Sequence, residues 1–159
     1  MSPQRMRPWR AWRLIPFAVT AALAGSARGA DAQTATLYLN SQPGDYIGAG
    51  QQQTYTIADG VFQLSTSNAA QHVSVAFHTQ TYSHWWYLDF AAPSGTPLTS
   101  GQYEGATRYP FQSPVGNGLD VAGDGRGCNE LTGRFVVLEA AYDNSGNVLK
   151  FAADLEQHC

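Results

Sequence analysis

Charge is scarce in this chain: Asp, Glu, Lys and Arg make up only 13% of 159 residues, while aromatics reach 12%, a balance that excludes a highly charged disordered tail. Long apolar runs are missing too. None approaches the ~18 residues that would read as a membrane-spanning helix. The 16 glycines and 8 prolines follow no Gly-x-y period, which excludes collagen. No stretch combines a helical apolar period with caps, and neither an internal repeat nor a low-complexity tract is found. A Gly-x-Ser-x-Gly nucleophile elbow is absent. Cysteine is limited to Cys128 and Cys159.

The first 32 residues read as a secretory signal. Arg5, Arg7, Arg10 and Arg13 form a basic start, Leu14–Gly25 is an apolar run of 12, and Ala30-Asp31-Ala32 fits a small-x-small cleavage site. The alternative is an amphipathic or buried helix. Ser26 stands where a lipidated Cys would be needed for an anchor, so release into the periplasm or medium is expected. Residues 1–32 are therefore expected to be a signal helix and 33–159 one domain. Removing the signal leaves 127 residues with four basic groups (Arg108, Arg126, Arg134, Lys150) against eleven acidic ones, a formal charge of −7. Such a surface cannot neutralise a phosphate backbone or an anionic bilayer, so neither nucleic acid nor, once the signal is removed, membrane is expected as a partner.

Short period-two or apolar segments recur about every ten residues. Candidate strands are Thr36–Asn40, Gln53–Ile57, Val61–Ser65, His72–Thr79, Trp85–Ala91, Gly101–Tyr109, Gly118–Ala122, Leu131–Tyr142 and Val148–Gln157. Pro43-Gly44-Asp45, Ala58-Asp59-Gly60, Pro93-Ser94-Gly95 and Asp143-Asn144-Ser145-Gly146 punctuate them. The pattern predicts an all-β, antiparallel β-sandwich of jelly-roll or immunoglobulin-like type. A turn centred on Asn144-Ser145 would set Val136, Leu138 and Ala140 against Ala153, Phe151 and Leu149 on one apolar face, with Glu139 opposite Lys150. The same register puts Cys159 opposite Glu130, near Cys128. Two cysteines in an exported chain predict a disulfide, with free thiols or an intermolecular bond as alternatives.

Several joined motifs carry a resemblance. Gly123-Asp124-Gly125-Arg126-Gly127-Cys128-Asn129, then Leu131-Thr132-Gly133-x-Phe135, then Phe151-Ala152-Ala153-Asp154-x-Glu156-Gln157-His158-Cys159, with Leu37-Tyr38-Leu39-Asn40-Ser41-x-Pro43-Gly44-Asp45-Tyr46 and Trp85-Trp86-x-Leu88-Asp89-Phe90, resemble an uncharacterised family of exported bacterial β-sandwich domains. The resemblance spans nearly all of residues 33–159 and implies fold and export but no activity. Relatives of that kind continue into one more strand after the His-Cys pair. Its lack here would leave a sheet edge open to self-association.

Candidate ligand-binding residues are Tyr82, Trp85, Trp86 and Tyr87, the densest aromatic cluster, and Arg126. On a strand Trp86 and Leu88 face one way and Trp85, Tyr87 and Asp89 the other, so at most one set is central core and the other can form a stacking platform. Arg126 is expected to lock its loop against Asp89, Asp124 or Glu156, or to bind a carboxylate. His72, His78 and His84 recur every six residues, too far apart along one strand (about 20 Å) to chelate one ion. Asp120, Asp124, Glu130 and Asp143 lie in Gly- and Asn-rich loops that could offer calcium oxygens, but not with EF-hand spacing, so no cofactor is expected. Glu104, Glu139 and Asp89 are the carboxylates available for glycoside chemistry. The chain thus reads as a non-enzymatic exported module with a binding or structural role and no catalytic residues. A carbohydrate-binding module with an aromatic platform, or a small secreted hydrolase using paired carboxylates, are the alternatives, and a glycan or protein is the expected ligand.

Overall fold

A computed structural model of the chain describes residues 34–67 and 69–159, together with two short strands, β1 (Trp12–Arg13) and β2 (Phe17–Ala18). The remainder of the expected signal segment lies outside the described residues. Where that segment is described it is extended rather than helical, because its backbone adds to an open sheet edge. Among the described residues no helix is long and apolar enough to cross a membrane.

The protein is all-β. The further strands are β3 (Thr36–Asn40), β4 (Gln52–Thr56), β5 (Gly60–Ser67), β6 (His72–Thr79), β7 (Trp85–Ala91), β8 (Gly101–Arg108), β9 (Gly118–Gly123), β10 (Thr132–Tyr142) and β11 (Val148–His158). Pairing runs β5-β6-β7-β9-β8-β10-β11 in one curved sheet, with β3-β4 as a separate ladder and β1 and β2 on the outer edge of β11. The ends β5 and β11 approach each other, and the Thr66 hydroxyl donates to the Gly146 carbonyl at 3.0 Å, so the seven strands nearly close into a barrel. The expected sandwich differs in two respects. Hydrogen bonding is continuous through one large sheet, and the β8–β9 junction (Thr107↔Gly118, Arg108↔Leu119) is parallel.

Strict alternation builds the core. Val73, Val75 and Phe77 of β6, Trp86, Leu88 and Phe90 of β7, and Leu119 and Val121 of β9 point inward with Leu37 and Leu39 of β3. Phe90 sits with ring centroids 5.3 Å from Phe135 and 5.1 Å from Phe151, tying β7 to the C-terminal hairpin.

That hairpin corrects the predicted register. Tyr142 pairs with Val148, leaving a five-residue loop in which Asp143 Oδ1 accepts from the Ser145 and Asn147 amides and Gly146 takes φ +83°. The bonds from Asn147 and the local backbone hold the Asp143 carboxyl below the usual aspartate range. The ladder then slips at Leu149 and again at Leu138, where Val137 faces Ala153 and Glu139 faces Ala152. Each one-residue slip exchanges the faces of a strand. Phe135 and Val137 are therefore the buried residues, and Leu138, placed in the predicted apolar face, is exposed. Glu139 and Lys150 are not directly opposite but still approach to 3.7 Å.

Cys128 and Cys159 lie at disulfide distance, their Cα atoms 5.4 Å apart and 31 residues apart in sequence. Beside them Gln157 imitates a strand. Its amide oxygen accepts from the Val121 N–H (2.8 Å) and its amide nitrogen donates to the Val121 carbonyl (3.0 Å), fastening β11 to β9.

Candidate functional site

The outward positions of β5, β6, β7 and β9 line up in rows across the sheet. One row reads Ser65-Ser74-Asp89-Asp120, the next Ser67-His72-Ala91-Gly118, and on the other side Gln63-Ala76-Tyr87-Ala122 and then Val61-His78-Trp85. Half the face is thus polar and half aromatic, and the two halves meet at Asp89 and Tyr87.

In the polar half, His72 is buried with Nδ1 2.8 Å from Ser67 Oγ and Nε2 2.7 Å from Asp89 Oδ1. The Tyr109 ring stacks on it at 4.2 Å and 3°. A hydroxyl, a ring base and a carboxylate in series are the elements of nucleophile activation. Each bond here, however, also joins neighbouring strands, and the imidazole is covered by Tyr109. Asp120 stands directly across from Asp89. Partial burial pushes the Asp120 carboxyl above the usual range; nearby Arg108 pulls it down and Asp89 adds to the rise. The fold consequently favours the protonated form of Asp120, and stability falls as pH rises through its elevated pKa. Asp120→Asn is expected to flatten this part of the pH profile and to leave the protein at least as thermostable at neutral pH. Thermal midpoints measured from the ordinary aspartate pKa upward check this; an unchanged slope would contradict it.

In the aromatic half, Tyr87 is 50% exposed and Tyr82 65%. Trp85 is half-buried, its ring centroid 5.6 Å from that of Tyr87 at 52°. His78 stacks on Tyr82 at 4.0 Å. Trp86 is not on this face. It is 1% exposed, in the core, as strand alternation requires for the neighbour of an outward Trp85.

The Gly-rich motif holds this arrangement. Asp124 Oδ1 accepts from the Trp85 amide (2.9 Å), Asp124 Oδ2 is 2.8 Å from His84 Nδ1, and the Asp124 amide donates to the Trp85 carbonyl (3.0 Å). Gly123 is glycine for packing: a Cβ there would lie 2.3 Å from the Trp86 ring. Arg126 closes the turn, half-buried, with its Nε enclosed and without a hydrogen-bond partner. Its three expected partners are engaged elsewhere: Asp89 with His72, Asp124 with His84, and Glu156 with Arg134 and His158.

Of the calcium candidates, Asp124 is spent on the Trp85 amide and His84, Asp143 on its own loop, Glu130 is exposed, and Asp120 lies in the polar row. Among the described residues no group of three His, Cys, Asp or Glu side chains is placed to hold a metal ion. Sequence reasoning missed the meeting of Ser67, Ser74, His72 and Asp120 with Asp89. Alternation gave the outward face of each strand, but only the insertion of β9 between β7 and β8 brings Asp120 beside Asp89. Comparison of the chain with protein-family models, with curated proteins and with solved structures finds no match.

Proposed function

We propose that this protein is an exported, non-enzymatic, sandwich-like β-module that binds a glycan on the outer face of β6, β7 and β9. The observation that carries this reading is the junction of Tyr87 and Trp85 with the Asp89–Asp120–Ser74 row on one solvent-facing surface. An aromatic ring offers a flat apolar surface to the C–H face of a pyranose. The adjacent carboxylate and hydroxyl oxygens accept the hydroxyl protons that such a ring presents at its edge. An exposed aromatic patch beside fixed polar groups is a common mark of a binding surface. Export is supported by the N-terminal charge and apolar pattern and by the cysteine pair, which calls for an oxidising compartment. A binding role is favoured over hydrolysis by the Ser67–His72–Asp89 series because His72 is buried under Tyr109 and held from both sides.

The test is a glycan array followed by titration calorimetry on the best ligand. Tyr87→Ala and Trp85→Ala, each with an unchanged circular dichroism spectrum, are expected to weaken binding at least tenfold. Silence of the parent protein across a broad array, or binding indifferent to both substitutions, would refute the reading.

A further inference from the structure

The sheet ends at β5 on one side and at β11 on the other, and on the side of β11 facing away from β10 the chain's own N-terminal segment is seated. Trp12 and Arg13 pair antiparallel with Leu155 and Asp154, and Phe17 and Ala18 with Phe151 and Lys150. β1 also packs beside β3, the first strand of the separate ladder. The place is therefore a slot one strand wide, between β11 and β3. Leu39 of β3 and Leu155 of β11 share a largely apolar pocket with Ile47, Trp86 and Val121, which Asp45 and Gln157 also line. An unpaired row of backbone donors and acceptors over an apolar floor is what strand addition completes.

We infer that this slot is a strand-acceptor site, held by Trp12–Arg13 and Phe17–Ala18 until the leader is removed and then taken by an extended segment of another polypeptide. Two features define the occupant. The slot's width admits a single strand, so a second copy entering with its own β10 alongside would meet β3–β4. The seated register sets a cation, Arg13, opposite Asp154, so the donor strand carries Lys or Arg at that position with apolar residues around it. The inference uses the export reading only for removal of the leader, and its test involves no glycan.

The experiment is amide hydrogen exchange by NMR on the full chain and on an Arg13→Pro, Phe17→Pro double variant, in which the segment can no longer pair. The amides of residues 150–155 that face away from β10 are expected to exchange at least tenfold faster in the variant. Amides of β6 and β7 should keep their parent rates, which verifies the fold. A synthetic peptide of residues 10–20 added to the variant is expected to restore protection, and the same peptide with Arg13→Glu to bind at least fivefold more weakly. Equal exchange in parent and variant, or no restoration by the peptide, would overturn the inference. Concentration-dependent dimerisation of the variant that protects the same amides without peptide would also overturn it, replacing a foreign donor strand by β11 self-pairing.

Discussion

Trp86→Ala is expected to lower the unfolding free energy by roughly 3–5 kcal/mol, the range for removing a large aromatic side chain from a core that cannot collapse around the gap. The neighbouring Trp85→Ala is expected to cost much less. The two residues are adjacent in sequence and chemically identical, so the contrast isolates position. Trp86 is 1% exposed, with Gly123 against its ring and Leu39, Val121 and Leu155 around it. The sheet cannot close in, because the backbone of β9 at Gly123 is already fixed by the Arg126 turn and by the amide of Asp124 on the Trp85 carbonyl. Trp85 sits on the other, solvent-facing side of the same strand, half-buried beside Tyr87, His78 and the Asp124 loop. Guanidinium unfolding followed by circular dichroism measures both. Gly123→Ala is a companion with the opposite geometry, since its methyl would intrude on the indole rather than leave a void, and overpacking of this kind destabilises as well. Equal losses for Trp85→Ala and Trp86→Ala would mean that the alternation through β7 does not describe the molecule.

The alternation itself was legible from composition and spacing. Three of the nine strands expected after residue 33 have the observed bounds and the others differ by one or two residues at their ends, because Gly, Pro, Asp and Asn interrupt the apolar pattern at every connection but the polar Gln80–His84 turn. The split of Trp85 from Trp86 follows from period two alone. The nonlocal features were not legible. Nothing in residues 118–123 says that they pair with β7 on one side and, in parallel, with β8 on the other; this placement makes the Asp89–Asp120 pair and turns the sandwich expected from the spacing into a nearly closed sheet. The hairpin fails for a different reason. Its strands were found, but Phe135-Val136-Val137-Leu138 is apolar at four successive positions, so the pattern cannot choose a face. The choice is made by Asp143, which lengthens the loop, and by the bulge at Leu138. Arg126 shows a third limit: charge complementarity named three carboxylates within reach, and each is claimed by a histidine or by Arg134 whose position depends on strand order.

Reduction of the Cys128–Cys159 pair is expected to cost roughly 3–4 kcal/mol, the chain-entropy value for a loop of this length, and to lower the thermal midpoint clearly. The loop it closes contains all of β10 and β11, so the bond restrains in the unfolded chain the hairpin whose register is hardest to set. It also anchors the end of β11 next to Gln157, whose amide replaces a strand partner for Val121, and next to Glu156. The Glu156 carboxyl is pushed up by burial, but bonds from His158 and Arg134 outweigh this and hold it below the usual range. Without the sulfur bridge, residues 156–159 must keep these contacts by hydrogen bonding alone. Reduction should therefore act locally before it acts globally: the amides of Gln157 and Val121 are expected to lose exchange protection at denaturant concentrations where β6 and β7 are still intact. Intact mass with and without reductant, which differs by two hydrogens for an internal bond, establishes the starting state. Unfolding curves that superimpose with and without reductant, on a monomer shown to gain those two hydrogens, would mean that the packing of Phe135, Phe151 and Phe90 alone holds the hairpin and that the cysteine pair adds nothing to it.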